Sequence, residues 1–235
     1  MSLTRKIYEI TANYSNPLSL GSKLRAKRLK HLISMIKIAF EAYGNVNIID
    51  IGGTKTYWQM LPHHILRDNN VTITIINLPG VNQPANDQCF KFIEGNGCDL
   101  SFYEDNSFHI AHSNSVIEHV GDWQSMVKFA HEVRRIAPNI FIQTPYFWFP
   151  IEPHFMCPFF HWLPIPVRIN IIMRFDLASH KRARSISEAI RIIEGRRLLD
   201  IKMFQELFPD AEIIKEKFAF FTKSLIAVRE KKCNV

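Results

Sequence analysis

Short β-branched runs alternate with stretches of helical apolar spacing along most of this chain. Between Ser22 and Tyr43, the residues Leu24, Leu32, Ile36 and Phe40 recur near helical spacing, and Gly44 supplies a stop. Val46–Ile51 reads as a buried strand, Tyr57–Arg67 as a helix, and Val71–Leu78 as a second strand stopped by Pro79-Gly80. Cys89–Ile93 and Phe108–Ser113 follow as strands, Trp123–Ile136 as a helix and Asn139–Gln143 as a fifth strand. Beyond a proline-rich stretch, helical patterns return at Val167–Arg174, Ile186–Glu194 and Ile201–Leu207. Glu212–Lys215 and Phe218–Arg229 finish the pattern as strands. This alternation predicts an α/β sandwich around a mainly parallel sheet, in which ligands gather at the carboxyl ends of the strands.

One strand end stands out for its chemistry. Val46–Ile51 carries Asp50 near its end and runs straight into Gly52-Gly53-Thr54. Paired glycines there permit a tight turn and a close approach of backbone to a ligand. A helix behind the turn would direct unpaired N–H groups at that ligand, and Asp50 could accept a hydrogen bond from an ammonium or hydroxyl group.

Composition narrows the classes without naming one. The chain has 235 residues, 47% hydrophobic and 22% charged, which suits a soluble globular protein with a large core. Met1 to Asn13 holds no apolar leader, and five prolines interrupt the apolar region from Pro145 to Phe175, so no spanning helix is expected. Cys89, Cys98, Cys157 and Cys233 show neither CxxC pairing nor zinc spacing, which favours a reducing, cytoplasmic setting. The net charge of +7 is densest at Lys23, Arg25, Lys27, Arg28 and Lys30 and again at His180 to Arg184. Both clusters read first as solvated faces, with acidic partners the alternative.

A longer run of motifs adds to this reading. Gly95-Asn96-Gly97-Cys98-Asp99-Leu100-Ser101-Phe102 leads through Asp105-Asn106-Ser107-Phe108-His109 to Ser113-Asn114-Ser115-Val116-Ile117-Glu118-His119-Val120. With the glycine turn and the terminal strand at Lys223–Val228, this order resembles class I S-adenosylmethionine-dependent methyltransferases of the small-molecule, type 11-like kind. The resemblance covers roughly Val46 to Arg229. It implies a Rossmann-like sandwich with a mainly parallel seven-stranded sheet, an antiparallel terminal strand and helices on both faces. It also implies a helical cap at 1–45, a methyltransferase domain at 46–235 and an aromatic, proline-rich lid at about 145–185.

The same resemblance implies a cofactor, S-adenosylmethionine, and residues to hold it. Asp50, Gly52, Gly53 and Thr54 would bound its methionine end, and Asn77 with Leu78 the ribose. Asn96, Gly97 and Cys98 would face the adenine, Asp99 and Leu100 would shape that loop, and Ser113 and Asn114 would line the floor near the methyl group. Asn77, Asn96 and His109 stand where such proteins usually carry acids. An asparagine still offers a carbonyl acceptor, without the charge assistance of a carboxylate.

Methyl transfer is mostly a matter of alignment, and a base is needed only when the acceptor must lose a proton. His119 and His154 are the candidate catalytic groups, with Glu152 spaced to orient His154. A metal set of Glu152, His154 and His161 matches no recognised spacing, and no metal is expected. Trp148, Phe149, Phe155, Phe159, Phe160 and Trp162 form either a lid over an apolar or glycan-like acceptor or the core of an extra helical layer. Their composition, with the basic residues that follow, also allows peripheral membrane contact. The expected acceptor is a small molecule, sugar- or lipid-linked. Two other readings stay open: a degenerate fold kept as a non-catalytic binding module, and a nucleic-acid methyltransferase. Nucleic-acid binding is not expected, because the basic segments lack interleaved base-stacking residues.

Overall fold

Apolar strands buried on both faces need helices on both sides, and this chain supplies them. The computed structural model describes residues 20–178 and 180–231, with side chains from residue 28 onward. The stretch Met1–Asn13, the side chains of Lys23, Arg25 and Lys27, and Cys233 therefore lie outside the described residues. Nine strands are described: β1 Val46–Ile51, β2 Val71–Asn77, β3 Phe90–Glu94, β4 Ile110–Asn114, β5 Asn139–Pro145, β6 Ile151–Glu152, β7 Cys157–Pro158, β8 Glu212–Phe218 and β9 Phe221–Arg229. The helices are α1 Leu20–Tyr43, α2 Lys55–Trp58, α3 His63–Asp68, α4 Trp123–Ile136, α5 Ile165–Arg174, α6 Ile186–Glu194 and α7 Ile201–Leu207.

Seven strands form one sheet in the order β3-β2-β1-β4-β5-β9-β8, and β6 and β7 form a separate two-stranded ribbon. Pairing is parallel from β3 to β5, whereas β9 runs antiparallel to both β5 and β8. The expected fold class therefore holds, with the reversed strand next to the sheet edge.

Each face of the sheet carries its own core. Ile49 and Ile51 pack with Met126, Phe129 and Val133 of α4 and with Phe204 and Leu207 of α7. Val46, Ile48, Ile73 and Ile75 pack with Leu29, Leu32, Met35 and Ile36 of α1 and with Trp58 and Ile65. Helix α1 thus enters the same core as the sheet. A third cluster, Phe155, Phe160, Ile172, Leu177, Ala183, Ala189 and Ile193, gives the segment after β5 a small core of its own.

Two local expectations are corrected. Tyr57–Arg67 is not one helix: Pro62 stands at the N-cap of α3 and separates it from α2, a single turn capped by Thr54. The helix that was to direct N–H groups at a ligand is therefore too short to do so. Arg28 is not on a solvated face. It is buried, with Nε donating to Glu216 Oε1 at 2.8 Å, and Ser224 Oγ donates to the other oxygen of Glu216.

Candidate active site

Strand β1 has β2 on one side and β4 on the other, so the connections leaving its carboxyl end diverge and open a crevice there. Gly52 and Gly53 occupy that exit. Gly52 has φ +72°, and a Cβ on it would press on Val116. A Cβ on Gly53 would fall on the carboxylate of Asp50. Neither position accepts a side chain.

Asp50 itself is wholly buried and fully engaged. Trp58 Nε1 donates to Oδ2 at 2.6 Å, His112 Nδ1 lies 2.7 Å from Oδ1, and His112 Nε2 lies 3.2 Å from the hydroxyl of Tyr57. The expected role of Asp50 as a direct ligand acceptor is thereby corrected. Its carboxylate supports the turn from beneath, because satisfying Trp58 and His112 fixes it under Gly53.

Of the other expected cofactor residues, Asn77, Gly97 and Ser113 are tied to the same exit. Asn77 Nδ2 donates to the carbonyl of Gly53 at 3.1 Å, which leaves its Oδ1 as an acceptor at the end of β2. Leu78 follows with 59% of its surface exposed. After β3 the chain makes a tight loop in which Asn96 Oδ1 accepts from Cys98 N at 3.0 Å and Asp99 N donates to Asn96 O at 2.8 Å. A backbone donor there fixes the amide orientation of Asn96, so its NH2 group is the end left for a ligand. The carbonyl that was expected to face adenine serves the turn instead.

Gly97 rests against Ile51 and Phe129, where a Cβ would collide with both. Buried Leu100 anchors the loop: its N–H donates to Glu132 Oε2 at 2.8 Å and its carbonyl accepts from Arg135 at 2.9 Å. The Arg135 guanidinium and this backbone donor hold the Glu132 carboxyl below its usual range. Asp99 Oδ1 accepts from Ser101 N. Ser113 Oγ donates to Ile51 O at 2.9 Å, so it too reaches β1, whereas the side-chain oxygen of Asn114 is held by Arg28 at 2.6 Å. His109 has a structural task, accepting from Asn47 N and stacking on Tyr43.

A second cluster follows β4 and β5. Glu118 is buried, with Thr144 Oγ1 donating to its Oε2 at 3.0 Å and no partner for Oε1. Burial pushes its pKa up to about 7. His119 Nδ1 lies 2.9 Å from Gly195 O, His154 Nδ1 lies 2.7 Å from Glu152 Oε1, and the two Nε2 atoms lie 3.1 Å apart. The two candidate histidines therefore meet, with Glu152 behind His154 as expected. His161 is elsewhere engaged: its Nε2 donates to Phe147 O at 2.6 Å.

Beside this cluster lies a cavity of about 260 Å³, lined in part by Glu152, Phe155, His161, Arg168, Arg196 and Arg197. Its buried Arg168 Nε, Arg196 Nε and His161 Nδ1 have no hydrogen-bond partner. Partial burial draws the pKa of Arg168 and of Arg196 downward. Of the aromatic segment, Phe155 and Phe160 are core, whereas Trp148, Phe159 and Trp162 are exposed and in contact with one another.

Comparison with solved structures bears on this architecture. An O-methyltransferase family protein from Burkholderia thailandensis aligns over 91% of this chain and 58% of its own, at 12% identity and a TM-score of 0.50. The fold is that of the class I methyltransferases. The YcgJ protein from Bacillus subtilis aligns over 80% of this chain and 71% of its own, at 15% identity and a TM-score of 0.46. Phosphoethanolamine N-methyltransferase 2 from Haemonchus contortus, in complex with S-adenosylmethionine, aligns over 77% and 38%, at 14% identity and a TM-score of 0.45. The chain thus spans less than two thirds of the Burkholderia methyltransferase. No protein-family profile and no curated protein matches it. Among the described residues no helix is long and apolar enough to cross a membrane.

Within the methyltransferase fold, the glycine turn, Asn77, Gly97 and Ser113 converge on the exit of β1, and the histidine pair follows β4 and β5. Sequence reasoning missed Trp58, His112, Glu118 and Arg196, and read Arg168 only among the basic residues around the aromatic segment. His112 could have been found only from the register that sets it opposite Asp50. Glu118 lay within a quoted motif, but its burial left no signal there.

Proposed function

We infer that this protein transfers a methyl group from S-adenosylmethionine to a small acceptor, sugar- or lipid-linked, that carries an anionic group. The observation that carries the cofactor half is the convergence of Gly53, Asn77, Gly97 and Ser113 on the exit of β1 at the switch point of the sheet. Two positions that admit no Cβ, an asparagine acceptor at the end of β2 and a loop anchored over Ile51 suit the methionine, ribose and adenine parts in turn.

The acceptor half rests on the cavity beside the histidines. Two guanidinium Nε–H groups without partners are donors suited to a phosphate or carboxylate. The exposed Trp148, Phe159 and Trp162 offer an apolar contact for the rest of the acceptor, at or away from a membrane surface. His119 and His154, brought together beside the cavity, are the groups that would take the proton of an acceptor hydroxyl. A basic protein could also serve a nucleic acid, but Arg168 and Arg196 line a cavity rather than an open groove.

The test is release of S-adenosylhomocysteine with matched acceptors. Sugar or lipid phosphates are expected to turn over and their dephosphorylated counterparts to fail. Equal turnover of both would contradict the anionic part of this reading.

A further inference from the structure

The geometry points to a divalent transition-metal site formed by His119 Nε2, His154 Nε2 and the carboxylate of Glu118. Gly195 O can only accept, so His119 Nδ1, at 2.9 Å, carries its proton. Glu152 accepts from Phe155 N at 2.7 Å through Oε2, and its Oε1 accepts from His154 Nδ1 at 2.7 Å. With those protons at Nδ1, each imidazole in its neutral form presents a lone pair at Nε2, and those two atoms face each other at 3.1 Å. Two facing lone pairs repel unless a proton or a metal cation lies between them.

Glu118 decides between these. Its carboxylate is wholly buried, its Oε1 has no partner, and its ligand atom lies within 4.8 Å of those of both histidines. A shared proton would satisfy the imidazoles alone, whereas a cation also satisfies the carboxylate. Tetrahedral ligands at about 2.0–2.1 Å from zinc stand roughly 3.3 Å apart, close to the spacing of the two nitrogens. The outer partners match as well, since metal-bound histidines commonly donate their other N–H to a carboxylate or a backbone carbonyl. Two imidazoles and one carboxylate suit zinc, cobalt or ferrous iron and leave a position open.

An ion at this point deepens the methyl-transfer reading, although the site itself does not depend on it. An acceptor hydroxyl bound at the open position releases its proton to solvent, and its oxygen takes the methyl group as the carbon–sulfur bond breaks. His119 and His154 then serve as ligands and Glu152 as a positioning residue.

The full chain, stripped with chelator, is titrated with Co²⁺ alone and followed by its visible d–d absorption, with Zn²⁺ as competitor. One Co²⁺ per chain with a low-coordinate spectrum is expected, displaced by Zn²⁺. His119→Ala or His154→Ala should abolish the spectrum, Glu152→Gln should weaken binding about 10–100-fold, and the exposed His131→Ala should change nothing. Circular dichroism confirms that each variant is folded. Absence of a d–d spectrum in the wild type would overturn the site, as would an unchanged spectrum in folded His154→Ala. Either failure leaves S-adenosylmethionine binding untouched, so the two readings fail separately.

Discussion

The side-chain amide of Asn77 donates to the carbonyl oxygen of Gly53 at 3.1 Å, tying the end of β2 to the turn that leaves β1. Asn96 does the opposite, accepting from Cys98 N at 3.0 Å. Two asparagines that look alike in the sequence therefore have different duties. One needs its NH2 group and the other its carbonyl.

That asymmetry predicts opposite outcomes for the same substitution. Asn96→Asp keeps the acceptor for Cys98 N and adds charge, so binding of S-adenosylmethionine should tighten about 5–10-fold, the worth of roughly 1 kcal/mol. Asn77→Asp sets a carboxylate oxygen against the Gly53 carbonyl and should destabilise the protein by about 1–3 kcal/mol. Calorimetric titration reads the first and thermal unfolding the second. Equal effects of the two changes would contradict these assignments.

Gly53 and Asp50 should be energetically coupled. Gly53→Ala places a methyl group on the buried carboxylate and should cost about 1–3 kcal/mol by overpacking. Asp50→Ala orphans Trp58 Nε1 and His112 Nδ1, at about 1–3 kcal/mol for each group. In the Asp50→Ala background the Gly53→Ala penalty should largely vanish. Urea unfolding of the four proteins measures the cycle, and additivity within about 0.5 kcal/mol would show that the pair does not interact.

Glu132 should contribute an acid limb to stability. Its folded pKa lies below the ordinary glutamate value of 4.5, chiefly through Arg135, so its contribution is present above that value. It is lost as pH falls through the lower folded pKa. Urea midpoints from pH 6 down to about 3 should fall less steeply in Glu132→Gln than in the wild type. Identical slopes would mean that the Arg135 and Leu100 contacts do not set this pKa.

Arg168 and Arg196 should act on the acceptor and leave the cofactor alone. Replacing either with Gln should raise KM for a phosphate-bearing acceptor about 10–100-fold, the worth of one charged hydrogen bond. Affinity for S-adenosylmethionine should be unchanged. A fall in cofactor affinity of similar size would place the cavity on the wrong side of the reaction.

The strands were legible in the sequence because β-branched runs bounded by turn residues leave little choice. Val46–Ile51, Trp123–Ile136, Ile186–Glu194 and Ile201–Leu207 match their expected bounds. Tyr57–Arg67 failed because apolar periodicity continued across Pro62, which caps a new helix rather than extending the old one. The site was legible only where it is local. The Gly52-Gly53 turn and the tight turn at Asn96–Asp99 are local features, whereas the residues that anchor them, Val116, Glu132 and Arg135 among them, lie far off in the chain. The burial of Asp50 against His112 and of Arg28 against Glu216 depends on strand pairing and helix packing between segments far apart in the chain. Side-chain type therefore suggested an open acid at Asp50 and a solvated Arg28, and tertiary contacts reversed both.

Calorimetric titration of the full chain with S-adenosylmethionine and with S-adenosylhomocysteine tests whether the exit of β1 holds this cofactor. One site per chain is predicted, with Kd of about 1–100 μM for both. It should be lost in a folded Gly97→Val variant, whose side chain drives the 95–100 loop off Ile51. No heat from either ligand at about 1 mM, or undiminished binding in that variant, would contradict the account.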